Sequence, residues 1–218
     1  MCLKIVVLVS GIHGRGSNLQ ALARACGEGK INGRIVGVIG NHAASPALER
    51  ARSLNIETQV VQSPKKSMAE TEAETYSFDL SRAIQEFQPD LICLAGYLIK
   101  IPDGVVERYS GRIMNIHNAL LPSFGGKGMY GLHVHQAVVD YGVKISGCTV
   151  HFVDAGYDTG PIILQRTVSV SQGDTAESVA KKVLVEEHKA YPEAVALFCA
   201  GRLNLRGRIV DISEPNTP

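Results

Sequence analysis

The stretch Lys4-Ile5-Val6-Val7-Leu8-Val9-Ser10-Gly11-Ile12-His13-Gly14-Arg15-Gly16-Ser17-Asn18 decides the fold. A short apolar run rich in branched side chains ends in a glycine-rich turn, and a helical pattern follows at once. A membrane-spanning helix needs about 20 apolar residues, and this run is far shorter and leads straight into the turn. It reads as a buried strand, not a signal. Working outward, the alternation recurs: Arg34–Gly40 before a helix from Ser45, Glu57–Gln62 before a helix from Ser67, then Asp90–Ala95. Such βαβ units imply an α/β fold with a Rossmann-like, mostly parallel central sheet and helices on both faces. Ser17-x-x-Gln20, Ser67-x-x-Glu70 and Asp174-x-x-Glu177 read as capping boxes, and Ser45-Pro46 places proline at a first helical position.

Beyond about residue 110 the pattern continues with a strand at Arg112–Ile116, a glycine-rich loop at Asn118–Gly131 and a short helix. Two strands follow, Lys144–Val153 and Pro161–Val170, joined by the turn Asp154–Gly160. The joint is short enough for a hairpin, which adds an antiparallel element. A helix over Thr175–Ala200 closes the fold, and the polar tail Arg206–Pro218 reads as a loosely attached extension.

Composition narrows the function. Lys plus Arg number 22 against 21 for Asp plus Glu, and no basic run exceeds a pair, so the footprint of a nucleic-acid or membrane-surface protein is missing. The five cysteines form no C-x-x-C pair and suit a reducing, cytoplasmic setting.

The turn Gly11–Asn18 offers free backbone N–H groups and the positive end of a helix dipole, which suits a phosphate. A dinucleotide turn would space its glycines differently and place a carboxylate after the second strand, where Ile39-Gly40-Asn41 has none. A nucleoside triphosphate loop would carry lysine where Ser17 stands. A monophosphate ester fits better, and a turn without ligand is the bland alternative. Asn115 and His117, two apart on a strand, share a face at a carboxyl-terminal strand edge, where open α/β sheets bind ligands. Asp158 by itself reads first as a turn aspartate bonding its own backbone. Cys148 and His151 are three apart on a strand, which puts them on opposite faces and argues against a nucleophilic pair. His117, His133, His135 and His151 with Asp158 could ligate a metal, but no His-Glu-x-x-His accompanies them, so no metal is expected. Glu187 lies on an otherwise apolar helical stripe with Val179, Val183, Tyr191, Ala194 and Phe198, where a buried carboxylate needs a partner.

Together these segments resemble the phosphoribosylglycinamide formyltransferases from about Lys4 to Leu205. The carriers are Val-Leu-Val-Ser-Gly at 7–11, Gly-Ser-Asn-Leu-Gln-Ala at 16–21, Leu-Ala-Gly-Tyr at 94–97, and Asn-Ile-His at 115–117 with Leu-Leu-Pro at 120–122. Val-His-Phe-Val-Asp at 150–154, Asp-x-Gly-Pro-Ile-Ile-Leu-Gln at 158–165 and Glu-His-Lys-x-Tyr-Pro at 187–192 complete them. The resemblance implies formyl transfer from 10-formyltetrahydrofolate to the amine of 5-phosphoribosylglycinamide in purine synthesis. It implies catalytic roles for Asn115, His117 and Asp158, with Asp158 raising the His117 pKa. It further implies phosphate binding by Gly16, Ser17 and Asn18, amine binding by Glu187, and a folate pocket at Leu98, Ile99, Lys100 and Ile101 together with Asn115. One domain is expected over 1–205, with a phosphate-binding half at 1–100, a catalytic and folate-binding half at 101–205, and a tail at 206–218. The chain would act as a monomer or homodimer on small molecules, without nucleic acid or membrane. It departs from many relatives in having Asn118 where they have proline, and in a longer loop at Ser123–Gly131 that is expected to border the substrates, with Lys127 near anionic groups. Related transformylases acting on tRNA, or hydrolysing the folate, would need an extra domain for which the chain has no room.

Overall fold

In a computed structural model, which describes residues 2–11, 14–63 and 70–214, the opening run forms β1 (Leu3–Val9). Ile5 to Val9 are buried without a break. An unbroken rather than alternating apolar run is what a strand covered on both faces requires. Next come α1 (Ser17–Gly27), β2 (Gly33–Gly40), α2 (Pro46–Ser53), β3 (Thr58–Val60), α3 (Glu70–Phe87) and β4 (Leu91–Leu94). These strands run parallel in the order β3-β2-β1-β4. Gly37 on β2 lets α3 approach: a Cβ there would stand 2.4 Å from the Phe87 ring. A short helix, α4 (Asp103–Arg108), which the sequence pattern did not suggest, precedes the end of this first compact unit at Ile113.

The second unit, Met114–Pro218, begins within β5 (Ile113–His117) and continues through α5 (Leu132–Tyr141), β6 (Ile145–Phe152), β7 (Ile162–Ser169), α6 (Ala176–Cys199), β8 (Leu203–Arg206) and β9 (Ile209–Ile212). Its strand order is β5-β6-β7-β9-β8. The β5–β6, β6–β7 and β8–β9 pairs are antiparallel, and β7–β9 is parallel. The expected antiparallel hairpin is therefore present, and the fold is the α/β class that the alternation implied. Gly147 and Gly160 permit backbone crossings that any side chain would block, since a Cβ would lie 1.9 Å from the Arg166 carbonyl oxygen and 1.8 Å from that of Phe152. The helix α6 packs on β6 and β7 with Val179, Val183, Glu187, Tyr191 and Ala194 buried. The Tyr191 hydroxyl donates to the Met114 carbonyl at 3.0 Å.

Local readings need correction in three places. Ser17 is the first residue of α1 and Gly16, at φ 66, is its cap, with no side-chain capping bond. The capping box of α6 belongs to Thr175 and Ser178, one residue after the one inferred. The polar stretch from Arg206 hides β9, so 206–212 is not a loose extension. Ser67 lies outside the described residues. Pro46 does open α2. Among the described residues, no helix is long and apolar enough to cross a membrane.

Candidate active site

Asn115 and His117 lie on one face of β5, and the antiparallel register sets His151 of β6 opposite Asn115 and Thr149 opposite His117. Directly opposed residues share a face, so the two strands present a polar cluster inside an otherwise apolar layer. The Nδ2 of Asn115 donates to Nε2 of His151 at 3.1 Å, while Nδ1 of His151 donates to the Phe152 carbonyl at 2.8 Å. Because a carbonyl only accepts, this second bond fixes the His151 tautomer and leaves Nε2 as the acceptor. Asp158 reaches the cluster from the β6–β7 loop. Its Oδ1 is 3.5 Å from Asn115 Nδ2 and 3.7 Å from His151 Nε2, and its Oδ2 is 3.6 Å from His117 Nδ1.

The bland role considered for Asp158 is taken by another residue. Asp154 accepts from Gly156 N–H at 3.0 Å and from the Thr159 hydroxyl at 2.6 Å, and so holds the turn by itself. Asp158 stands at φ 55, a left-handed conformation that aspartate tolerates better than most residues. Its carboxylate turns away from the turn and toward the imidazoles.

The loop after β5 contributes backbone groups to the same cluster. His117 Nε2 bonds the Phe124 carbonyl at 2.9 Å, and Gly126 N–H donates to Asp158 Oδ2 at 2.9 Å. Gly125 is needed here, since a Cβ would stand 2.5 Å from Leu121 and 3.3 Å from the Asp158 Cβ. Asn118 Nδ2 reaches the Gly131 carbonyl at 3.1 Å and His135 Nε2 at 3.0 Å, so Asn118 ties down the far end of the loop. The buried Thr149 hydroxyl donates to the Ala119 carbonyl at 2.7 Å and accepts from Leu121 N–H at 3.0 Å, with Gln165 bonding both Thr149 and Leu121. Lys127 is exposed.

Burial sets the charge states. It lowers the His117 pKa below the ordinary imidazole value, and although Asp158 and the Phe124 carbonyl pull upward, burial wins. Asp158 thus pulls the His117 pKa upward as expected, but burial outweighs it and the net shift is toward the neutral ring. For Asp158 burial pushes upward, but the pull of the His151 and His117 imidazoles in their protonated forms, with the Gly126 N–H, outweighs it and holds the carboxyl below its usual range. Burial together with the neighbouring His117 drives His135 down to about 4. Cys148 is fully buried and its thiol is pushed up to about 12, chiefly by burial, so it stays protonated and inert. Among the described residues, no group of three or more His, Cys, Asp and Glu is arranged to hold a metal.

In the first unit Gly14–Gly16 lead into α1 as expected, while Ile12 and His13 of the glycine-rich turn lie outside the described residues. Gly16 packs on α2, where a Cβ would stand 3.0 Å from Ala47, and Arg50 of α2 bonds the Arg15 carbonyl at 2.9 Å. Ser17 and Asn18 form the first turn of α1 and are partly accessible. Asn41, where a dinucleotide site would carry an acid, accepts from Gly11 N–H at 2.7 Å. Of the segment 98–101, Leu98 is 56% exposed, Ile101 is buried and Lys100 pairs with Asp103 at 2.9 Å. Glu187 is buried on α6, as its stripe position implied.

His151 is the site residue that sequence reasoning passed over. It was weighed only against Cys148 and as a metal ligand, yet a histidine inside the apolar run of β6 was itself the signal, because a buried imidazole needs partners. Asn115 and the Phe152 carbonyl supply them.

This arrangement has relatives. The formyl transferase family model matches residues 3–195. The chain is 41% identical over 203 residues to a chloroplastic phosphoribosylglycinamide formyltransferase of Arabidopsis thaliana, spanning 93% of this chain and 68% of that one. It is 37% identical to the Escherichia coli phosphoribosylglycinamide formyltransferase, over 93% of this chain and 90% of that protein. Glycinamide ribonucleotide transformylase 1 of Symbiobacterium toebii superposes with a TM-score of 0.87 at 41% identity, covering 98% of this chain and 95% of the other. With the match running through both units and across Asn115, His117, His151 and Asp158, the chain belongs to the formyl transferase family.

Proposed function

We propose that this chain transfers the formyl group of 10-formyltetrahydrofolate to the amino group of 5-phosphoribosylglycinamide, giving the formylated ribonucleotide and tetrahydrofolate in de novo purine synthesis. The observation that carries the reading is the Asn115–His117–Asp158 cluster with His151 behind it, in a chain similar along most of its length to proteins named for that reaction.

The chemistry is acyl transfer. The neutral amine attacks the formyl carbon and negative charge gathers on the formyl oxygen. Asn115 donates an N–H to that oxyanion, a preorganised contact often worth about 3 kcal/mol. Its amide is already held by His151, so little reorganisation is needed as charge develops. The attacking nitrogen must lose a proton, and the leaving folate nitrogen must gain one. Neutral His117, with Asp158 beside Nδ1, is suited to relay that proton, so none is gained or lost overall. No covalent enzyme intermediate forms. Gly16, Ser17 and Asn18 hold the ribose phosphate at the start of α1, Glu187 holds the amine-bearing end, and the segment 98–101 with Asn115 contacts the folate. The reaction calls for no metal. Five free cysteines favour a reducing compartment, and the cytoplasm is the location we assign.

The test mixes the pure protein with both substrates and follows release of tetrahydrofolate. Formyl transfer to that amine is the expected result, and a folded protein that releases none would overturn the reading. Glu187→Ala should raise KM for the amine substrate about tenfold with kcat little changed, as expected when binding shared by ground and transition states is lost. An unchanged KM would remove Glu187 from the site.

A further inference from the structure

The residue directly after β1 is a serine whose side chain bonds a segment 86 residues away. Ser10 is buried, its hydroxyl donates to the Gly96 carbonyl at 2.9 Å, and the same oxygen accepts from Leu98 N–H at 2.8 Å. Residues 95–102 have no regular structure, and Gly96 sits at φ 73, so no strand ladder supplies partners for these backbone groups. A hydroxyl is the smallest side chain able to satisfy both a donor and an acceptor. The segment has two further anchors: Ala95 N–H donates to the Leu8 carbonyl at 2.9 Å, and the buried Tyr97 hydroxyl contacts that of Tyr76. With Tyr97 buried and Leu98 56% exposed, the chain here turns a large apolar side chain outward from a backbone fixed on three sides.

We propose that Ser10 is a positioning residue for the folate: by clasping Gly96 and Leu98 it fixes the backbone of the segment 98–101 in the shape that receives the cosubstrate. The inference rests on the folate role assigned to that segment above. Ser10 touches no reacting atom, so its loss should appear in folate binding and not in the chemical step. The adjoining Gly11 is held separately, by Asn41, which is itself bonded to Ser63 at 3.1 Å. The two ligand-holding segments that flank the end of β1 therefore have separate supports.

The experiment compares Ser10→Ala, Ser10→Thr and Asn41→Ala with the unaltered protein, measuring KM for each substrate, kcat, thermal unfolding, and amide hydrogen exchange at Leu98 without ligand. Ser10→Ala should raise KM for 10-formyltetrahydrofolate about tenfold, the size of a lost buried hydrogen bond, with KM for phosphoribosylglycinamide within about twofold, and should quicken exchange at Leu98. Ser10→Thr, which keeps the hydroxyl, should restore much of the folate KM. Asn41→Ala should show the opposite split, weakening the phosphate substrate instead. Unchanged folate KM in Ser10→Ala, or both KM values rising together in both alanine variants, would overturn the proposal, because general loosening would then explain the result. If the unaltered protein transfers no formyl group, the functional reading fails and takes the ligand named here with it. Turnover with an unmoved folate KM would sink the role of Ser10 alone.

Discussion

At the scale of single residues, Asn115, His117 and Asp158 differ in what surrounds them, and so should fail differently. Asn115→Ala and His117→Ala each remove a group that acts as charge and protons move. Steady-state kinetics should show kcat lower by about a hundredfold or more with modest KM changes. Full turnover in both would refute their roles. Asp158→Asn removes the carboxylate that faces His117 and pulls its pKa upward against burial. The imidazole should therefore titrate still lower in this variant. An NMR titration that found it higher would show that Asp158 does not pull the His117 pKa upward.

At the scale of elements, the hairpin of β6 and β7 governs the site, because it carries His151 and Thr149 and returns through Asp158. Gly147→Ala should break it, since the added Cβ would lie 1.9 Å from the Arg166 carbonyl oxygen. Urea unfolding should record a loss of about 3 kcal/mol or more, and a loss under about 0.5 kcal/mol would mean that the strands can part without cost. How much of this was legible beforehand follows from how each element announces itself. The strands β1, β2 and β4 are near-continuous apolar runs bounded by turns, and they were readable. Asn115 and His117 were readable as a pair because period two needs only the strand they share. Asp158 was not, since its turn alone suggested a backbone-bonding aspartate, and only Asp154 taking that work releases it. His151 was hidden because β6 is buried on both faces, which erases the alternation that would have shown where it points. The strand β9 was hidden by its polarity, and α4 by its six residues, too few for a helical period to stand out. The capping residue of α6 slipped by one because Asp174, Thr175 and Ser178 are all able caps, and the backbone decides among them.

At the scale of the whole molecule, buried histidines tie stability to acidity. His135 is depressed from 6.5 to about 4, so the folded protein resists a proton that the unfolded chain accepts. Stability from this group is complete above the unfolded value and drains as pH falls from 6.5 toward 4, a window corresponding to on the order of 3 kcal/mol. His117 and Asp158, both lowered, add losses in the same acid direction. Chemical denaturation at pH 7 and pH 5 should show a clear drop that His135→Gln reduces. An equal drop in the variant would assign the acid sensitivity elsewhere.

The small hairpin of β8 and β9 bears on how the protein behaves among its own copies. Because β9 lies alongside β7 at Ile162 and Ile209, it occupies a border whose backbone groups would otherwise be open to any passing strand. A chain cut after Leu205 would keep Asn115, His117, His151 and Asp158, and would still become gregarious, losing monodispersity at concentrations that the longer chain tolerates.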